Sequence, residues 1–351
     1  MIGPRVRFPS VGGRCLVLAA AALLARCSSH HGPTSPDPGG PLAIACPVDQ
    51  TVDDLTNAPA MPVNFPTPTT TGGQTPVTIQ CNPASGTNFA LGQTPVSCSA
   101  TDTGSHFATC AFNVTVAPVP MLSVTSFMAF GDSLTEGEVQ PQQHAHRVMA
   151  YDPADGYPAQ LLGMLQARYK AQTVTLSNEG LGGQDTWGDY DRLLAALDAE
   201  HPQALLLLEG INDLDGNADY DEIPHIIDGL RADVRESKAR GVQFVLVSTL
   251  TPQREPTPGS PDRRNFVQDP RLIQDTNDEI RDMAAQEGAI LVDGYSAIAV
   301  DPATLVGADG LHLTVAGYQA LANAFLVAIE QHMELPPPVP SPPAASSARR
   351  P

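Results

Sequence analysis

From about residue 122 onward, apolar residues alternate between two spacings. Short continuous runs, Phe127–Phe130, Val174–Leu176, Val242–Thr249 and Ala289–Val292, read as strands. Ala204-Leu-Leu-Leu-Leu208 has no polar member, as expected of a central parallel strand buried on both faces. Between the runs lie segments with helical spacing. Tyr157–Tyr169 is apolar at 161, 162, 165 and 169, and Tyr190–Ala199, Ile223–Arg240, Pro270–Glu287 and Thr314–Met333 follow. Strand and helix in strict alternation predict an α/β fold: a three-layer, flavodoxin-like domain with a parallel sheet over residues 122–335.

Upstream the pattern differs. Residues 44–117 hold short Val/Thr-rich runs, Val77-Thr-Ile, Pro95-Val-Ser-Cys-Ser and Ala111-Phe-Asn-Val-Thr-Val116, broken by Gly-Gly and Pro. They predict a small all-β, Ig-like sandwich. Cys46, Cys81, Cys98 and Cys110 all fall there, and four cysteines allow three pairings. Cys81 and Cys98 flank a hairpin-like stretch, and Cys46 and Cys110 sit near the first and last strands, so Cys81–Cys98 with Cys46–Cys110 is the favoured set. Ala45-Cys-Pro, Pro66-Thr-Pro-Thr-Thr-Thr-Gly-Gly, Cys81-Asn-Pro-Ala-Ser-Gly and Val96-Ser-Cys-Ser-Ala-Thr-Asp102 resemble the hyalin-repeat (HYR) module of extracellular proteins. That resemblance implies a role in spacing, adhesion or contact with a polysaccharide or cell surface.

The ends bear on destination. Residues 1–27 place Arg5, Arg7 and Arg14 before and at the start of an apolar core, Cys15–Ala25, too short to span a bilayer; this reads as an export signal. Leu24-Ala-Arg-Cys27 resembles a lipoprotein processing box but departs from it at Arg26, so Cys27 is a candidate lipidation site and ordinary cleavage nearby the alternative. Such an anchor would be the one route to a membrane; the product would be secreted, periplasmic or held at the cell envelope. Residues 28–43 are a flexible linker, and the Pro-rich tail 336–351 has nothing to bury. A net charge of −19 repels phosphates and argues against nucleic acid as a partner.

The chemistry gathers at the ends of the strands. Phe127–Phe130 breaks into Gly131-Asp-Ser133, which leaves Ser133 in the turn at the carboxyl edge, where ligands bind in open α/β sheets. A serine in a turn is more often a cap than a nucleophile, unless a base and oxyanion donors join it. Asp309-Gly-Leu-His312 can supply a carboxylate and an imidazole from one turn, and Asn178-Glu-Gly-Leu-Gly-Gly183 and Gly210-Ile-Asn-Asp213 follow two other strands. Gly131-Asp-Ser-Leu, the Gly183 turn, Gly210-x-Asn-Asp and Asp309-x-x-His312 resemble, in order, the four blocks of the SGNH (GDSL-type) esterases and lipases. The resemblance implies Ser133 as nucleophile, His312 as base, Asp309 as its orienting acid, and Ser133 N–H, Gly183 N–H and the Asn212 amide as oxyanion donors. Gly182 competes with Gly183 for the left-handed turn, and Asp132 and Asp213 read as structural.

The rival α/β-hydrolase elbow needs glycine two residues either side of the serine, and Ser133 has Thr135 at +2. No cofactor and no metal are expected: there is no CxxC pair, and His144-x-His146 reads as a polar loop. The expected substrate is a small-molecule carboxylic ester, short-chain acyl or acetyl, because loops 138–157 and 251–269 are rich in charge. Arg254, Arg263 and Arg264 would suit an acidic or acetylated-sugar leaving group. A lipase or lysophospholipase for longer chains is one alternative. The other is a non-catalytic adhesion or carbohydrate-binding protein on the same fold.

Overall fold

A computed structural model describes residues 39–139, 150–151, 154–214, 218–258, 267 and 269–338. The export signal with Cys27, residues 28–38 of the linker, His144-x-His146, Arg263, Arg264 and most of the tail lie outside the described residues.

Five strands form a wholly parallel sheet: β1 (Ser126–Gly131), β2 (Thr175–Gly180), β3 (Ala204–Leu208), β4 (Phe244–Ser248) and β5 (Ile290–Val292). Their order is β2-β1-β3-β4-β5, the flavodoxin-like arrangement expected. Chain order reverses beside β1, so β1 and β3 lie together at the centre, in register from Phe127↔Ala204 to Gly131↔Leu208. All five residues of β3 are buried, as its unbroken apolar run requires.

The helices are α1 (Ser133–Glu136), α2 (Tyr157–Arg168), α3 (Tyr190–Glu200), α4 (Glu222–Ala239), α5 (Pro270–Glu287), α6 (Gly294–Ala299), α7 (Pro302–Leu305) and α8 (Val315–Met333). α2 packs on α8, where Tyr157 stacks on Phe325 with centroids 5.0 Å apart, while α4 packs on α3 and α5. Layers on both faces of the sheet result. The long helices start and stop within about two residues of their sequence signals. Asp269 caps α5 ahead of Pro270, its side chain accepting the Arg271 N–H at 3.0 Å, and Gly288 ends it at φ 63°. Thr314 caps α8.

Periodicity did not foresee α1, α6, α7 or the two-residue strands Glu138–Val139 and Ala150–Tyr151, which are too short to show a period. In the N-terminal region the three expected runs are strands, Thr78–Asn82, Gly92–Thr101 and Phe107–Pro118, and five further strands are present among the described residues. Gln50–Asp54 pairs in parallel with Phe107–Pro118. Cys46, Cys81, Cys98 and Cys110 are all disulfide-bonded. Two compact units emerge. One comprises residues 39–45, 68–80 and 98–110 of the described chain. There Asp102 accepts the Gln74 N–H and the His106 N–H, each at 2.8 Å, and these bonds hold its carboxyl down at about 2. The other holds residues 46–67, 81–97 and everything from 111 on, the parallel sheet included.

Candidate active site

β1 ends at a residue that could only be glycine. Gly131 has φ 148°, and a Cβ there would stand 1.9 Å from the Leu208 carbonyl oxygen of β3. The chain then turns at once into α1. Asp132 caps that helix by accepting the Leu134 N–H at 2.9 Å, which puts Ser133 at its first position, buried against the sheet edge. Burial pushes the Asp132 carboxyl up to about 7.

The Asp309–His312 turn reaches the same place from 179 residues away. His312 Nε2 lies 2.9 Å from Ser133 Oγ, and Nδ1 lies 2.6 Å from Asp309 Oδ2. Asp309 Oδ1 accepts the Leu311 and His312 backbone N–H groups, each at 3.1 Å, so one carboxylate shapes the turn and orients the ring. The turn is braced by residue 254: Arg254 N–H donates to Gly310 O, and the Arg254 guanidinium donates to Val306 O and Glu255 O. A guanidinium spent on backbone carbonyls is a support for the loop and a poor candidate for gripping a leaving group. Burial opposes a charge on His312, but the Asp309 hydrogen bond and charge, with Glu138 and Asp132 behind them, outweigh it and raise the imidazole above its ordinary value.

The two remaining turns meet beside Ser133. Gly183 takes the left-handed conformation at φ 81°, and Gly182, its competitor, does not. The Gly182 N–H is held instead by Glu136 Oε2 at 2.7 Å. The Asn212 amide donates to Gln184 O at 2.7 Å, tying the turn after β3 to the turn after β2. Asp213 accepts the Thr186 N–H at 3.2 Å and hydroxyl at 2.8 Å, so it bridges two loops where a purely local bond was expected. Trp187 is 41% exposed and tilts against Tyr190 and His225.

A hydroxyl, an imidazole on its oxygen and a carboxylate on the far ring nitrogen can move a proton off the hydroxyl as it attacks a carbonyl. A model of the GDSL-like Lipase/Acylhydrolase family matches residues 129–320, more than half of the chain and all of the residues above. The chain belongs to that family. As a member it is a carboxylic ester hydrolase. Among solved structures it is similar to Axe2, an acetylxylan esterase from Geobacillus stearothermophilus, at 24% identity and TM-score 0.46 over 60% of this chain and 95% of that one. It is also similar to the lipase/acylhydrolase from Enterococcus faecalis, at 20% identity and TM-score 0.49 over 61% and 99%. No curated protein matches it.

Besides Glu136, two residues of this family member escaped sequence reasoning. Arg192 pairs with Asp189, stacks over the Phe130 ring at 4.0 Å, and donates to Glu179 O and, at 3.2 Å, to Gly131 O. It stitches the ends of β1 and β2 beneath Ser133. Glu138, expected only as part of a polar rim, places Oε2 3.2 Å from His312 Nε2. Neither spacing nor composition signals such contacts, which exist only once the sheet has formed. No helix among the described residues is long and apolar enough to cross a membrane.

Proposed function

We propose that this ester hydrolase is an exported serine esterase for short, water-soluble acyl or acetyl esters. Ser133 attacks the ester carbonyl, and His312 takes the Ser133 proton and returns it to the leaving alcohol. Asp309 fixes the tautomer, and the N–H groups of Ser133 and Gly183 with the Asn212 amide receive the oxyanion. The observation that carries this reading is the continuous line Ser133 Oγ–His312–Asp309, with contacts of 2.9 and 2.6 Å between chain segments far apart in sequence. Removing one oxyanion donor of this type costs about 10²–10³ in turnover.

The preference for short acyl groups rests on what surrounds Ser133. Glu138 and Glu136 reach its immediate neighbourhood, where a Cβ on Gly182 would meet both carboxylates and Ser133 Cβ. A wall of carboxylates buries little alkyl chain, and each buried CH₂ would be worth about 0.8 kcal/mol. Export is supported by the four disulfide-bonded cysteines, which persist in oxidising compartments. The N-terminal β region, residues 44–117, is proposed as an Ig-like module of the HYR type that spaces the hydrolase (122–335) or contacts a polysaccharide or cell surface. Its proposed bridges are Cys81–Cys98 and Cys46–Cys110.

The test is a fluorophosphonate probe followed by peptide mass mapping. We expect the label on Ser133 and none on Ser133→Ala, whose turnover of p-nitrophenyl acetate should vanish. Labelling elsewhere, or a Ser133→Ala variant with a tenth of normal turnover, would remove the nucleophile assignment. Across p-nitrophenyl esters kcat/KM should peak between acetate and hexanoate, and a maximum at twelve carbons or more would make the protein a lipase.

A further inference from the structure

Glu138 stands where a serine hydrolase of this design has no need of a carboxylate. It follows Gly137, whose φ of 98° ends α1, and its backbone oxygen accepts the Tyr318 hydroxyl of α8 at 2.6 Å. Its register partner is Tyr151. The side chain, 18% exposed, brings Oε2 to 3.2 Å from His312 Nε2, the nitrogen that also faces Ser133 Oγ at 2.9 Å. With Asp309 on Nδ1, the imidazole has a carboxylate at each nitrogen. Among the described residues, the other charged or titratable groups near it are Asp132 at the start of α1, the Tyr318 hydroxyl of α8 and, on the Gly182 side, Glu136.

The chemistry of Nε2 gives the contact its meaning. In the neutral ring Nδ1–H is donated to Asp309, so Nε2 carries a lone pair that takes the Ser133 O–H. An ionised Glu138 offers that lone pair only an acceptor, which is repulsive. Once Nε2 carries a proton the same contact becomes a charge-assisted hydrogen bond. Glu138 therefore favours the imidazolium wherever it occurs. It occurs in the resting enzyme at low pH and again after Ser133 has given up its proton to Nε2 on attack.

We propose that Glu138 is a positioning residue for His312, a second carboxylate that holds the Nε2 proton and sets the pH above which Ser133 can be activated. The proposal rests on the Ser133–His312 reading above. The resting imidazolium must first release the Nε2 proton to solvent, and only then can Nε2 accept the one from Ser133. Because Glu138 stabilises the imidazolium in both the acid resting state and the transition state, its effect cancels at low pH and survives on the plateau.

The experiment is the pH profile of kcat/KM for p-nitrophenyl acetate in wild type, Glu138→Gln and Glu138→Asp. For Glu138→Gln the apparent pKa should fall by about one pH unit and the plateau by up to about tenfold, while the acid limbs merge. Glu138→Asp, which withdraws the carboxylate by one methylene, should lie between. A Glu138→Gln profile lowered in parallel at every pH, or one with an unchanged midpoint, overturns the proposal and leaves a structural role. Should Glu138→Gln not fold, the downfield Nδ1 proton resonance of His312, titrated in wild type and Glu138→Asp, must report a lower midpoint for the variant; equal midpoints overturn the proposal. Failure of the underlying reading looks different: Ser133→Ala would stay active.

Discussion

At the residue scale, the proposed mechanism turns on one imidazole. As the proposed base, His312 would have to be neutral to accept the Ser133 proton, and its pKa lies above the ordinary value. Activity should therefore be lost as pH falls through a midpoint above about 6.5, the unperturbed value, which a pH series of kcat/KM measures directly. Replacing Ser133 or His312 by Ala should each lower kcat by roughly 10⁴–10⁶-fold, with the double variant scarcely worse, because members of one proton path act as a unit. Additive losses would mean that the two residues do not share that path. The turns that carry the candidate residues Ser133, His312, Asp309, Gly183 and Asn212 were legible in the sequence, since each is a short motif that follows a strand or precedes α8. Glu138, Glu136 and Arg192 were not. Their partners lie 174, 46 and 61 residues away, on His312, Gly182 and Gly131, and nothing local to any of them marks the pairing.

At the scale of elements, the site depends on the tightness of the turns that leave the strands. Gly131 and Gly183 both have positive φ, but for different reasons. A Cβ on Gly131 would overlap the Leu208 carbonyl, whereas one on Gly183 would meet nothing within 4 Å. Gly131→Ala should thus push β1 off β3 and cost on the order of 4 kcal/mol or more, enough to leave no soluble fold. Gly183→Ala should fold, lose only about 1–2 kcal/mol to the left-handed backbone, and show its effect mainly in kcat. Thermal melts beside turnover separate the two cases; similar melting temperatures would remove the clash argument. The long elements were readable because five of the helices carry three turns or more and the central strand is a complete apolar run. The functional turns between them were readable only as motifs, since α1 is a single turn with no periodicity to detect.

For the whole molecule, protons and folding are coupled in a direction opposite to activity. Burial raises Asp132 to about 7 and Asp233 to about 8, and lifts Glu209, beside Asp189 and Asp233, well above the carboxylate range. Groups of this kind bind more protons folded than unfolded, so stability declines as pH rises from about 4 through about 8. His312 has the same sign, since its raised pKa contributes stability at low pH that is lost as pH climbs through the folded value. Asp102, held at about 2, has the other sign and is lost only in acid. Thermal stability should consequently be greatest near pH 4–6 and lower at pH 8, where turnover is faster. Glu209→Gln should narrow that difference, and a pH-independent gap between variant and wild type would contradict the account.

The contact between His312 and Ser133 spans 179 residues of chain, and that span orders events in time. β1 can pair with β2 and β3 long before the segment bearing His312 arrives to dock. Secondary structure can then be nearly complete while the enzyme is still inert, because contacts so distant in sequence form late. In a refolding experiment circular dichroism would recover first and ester hydrolysis afterwards. Turnover would serve as a clock for the last step of assembly, the docking of the loop ahead of α8.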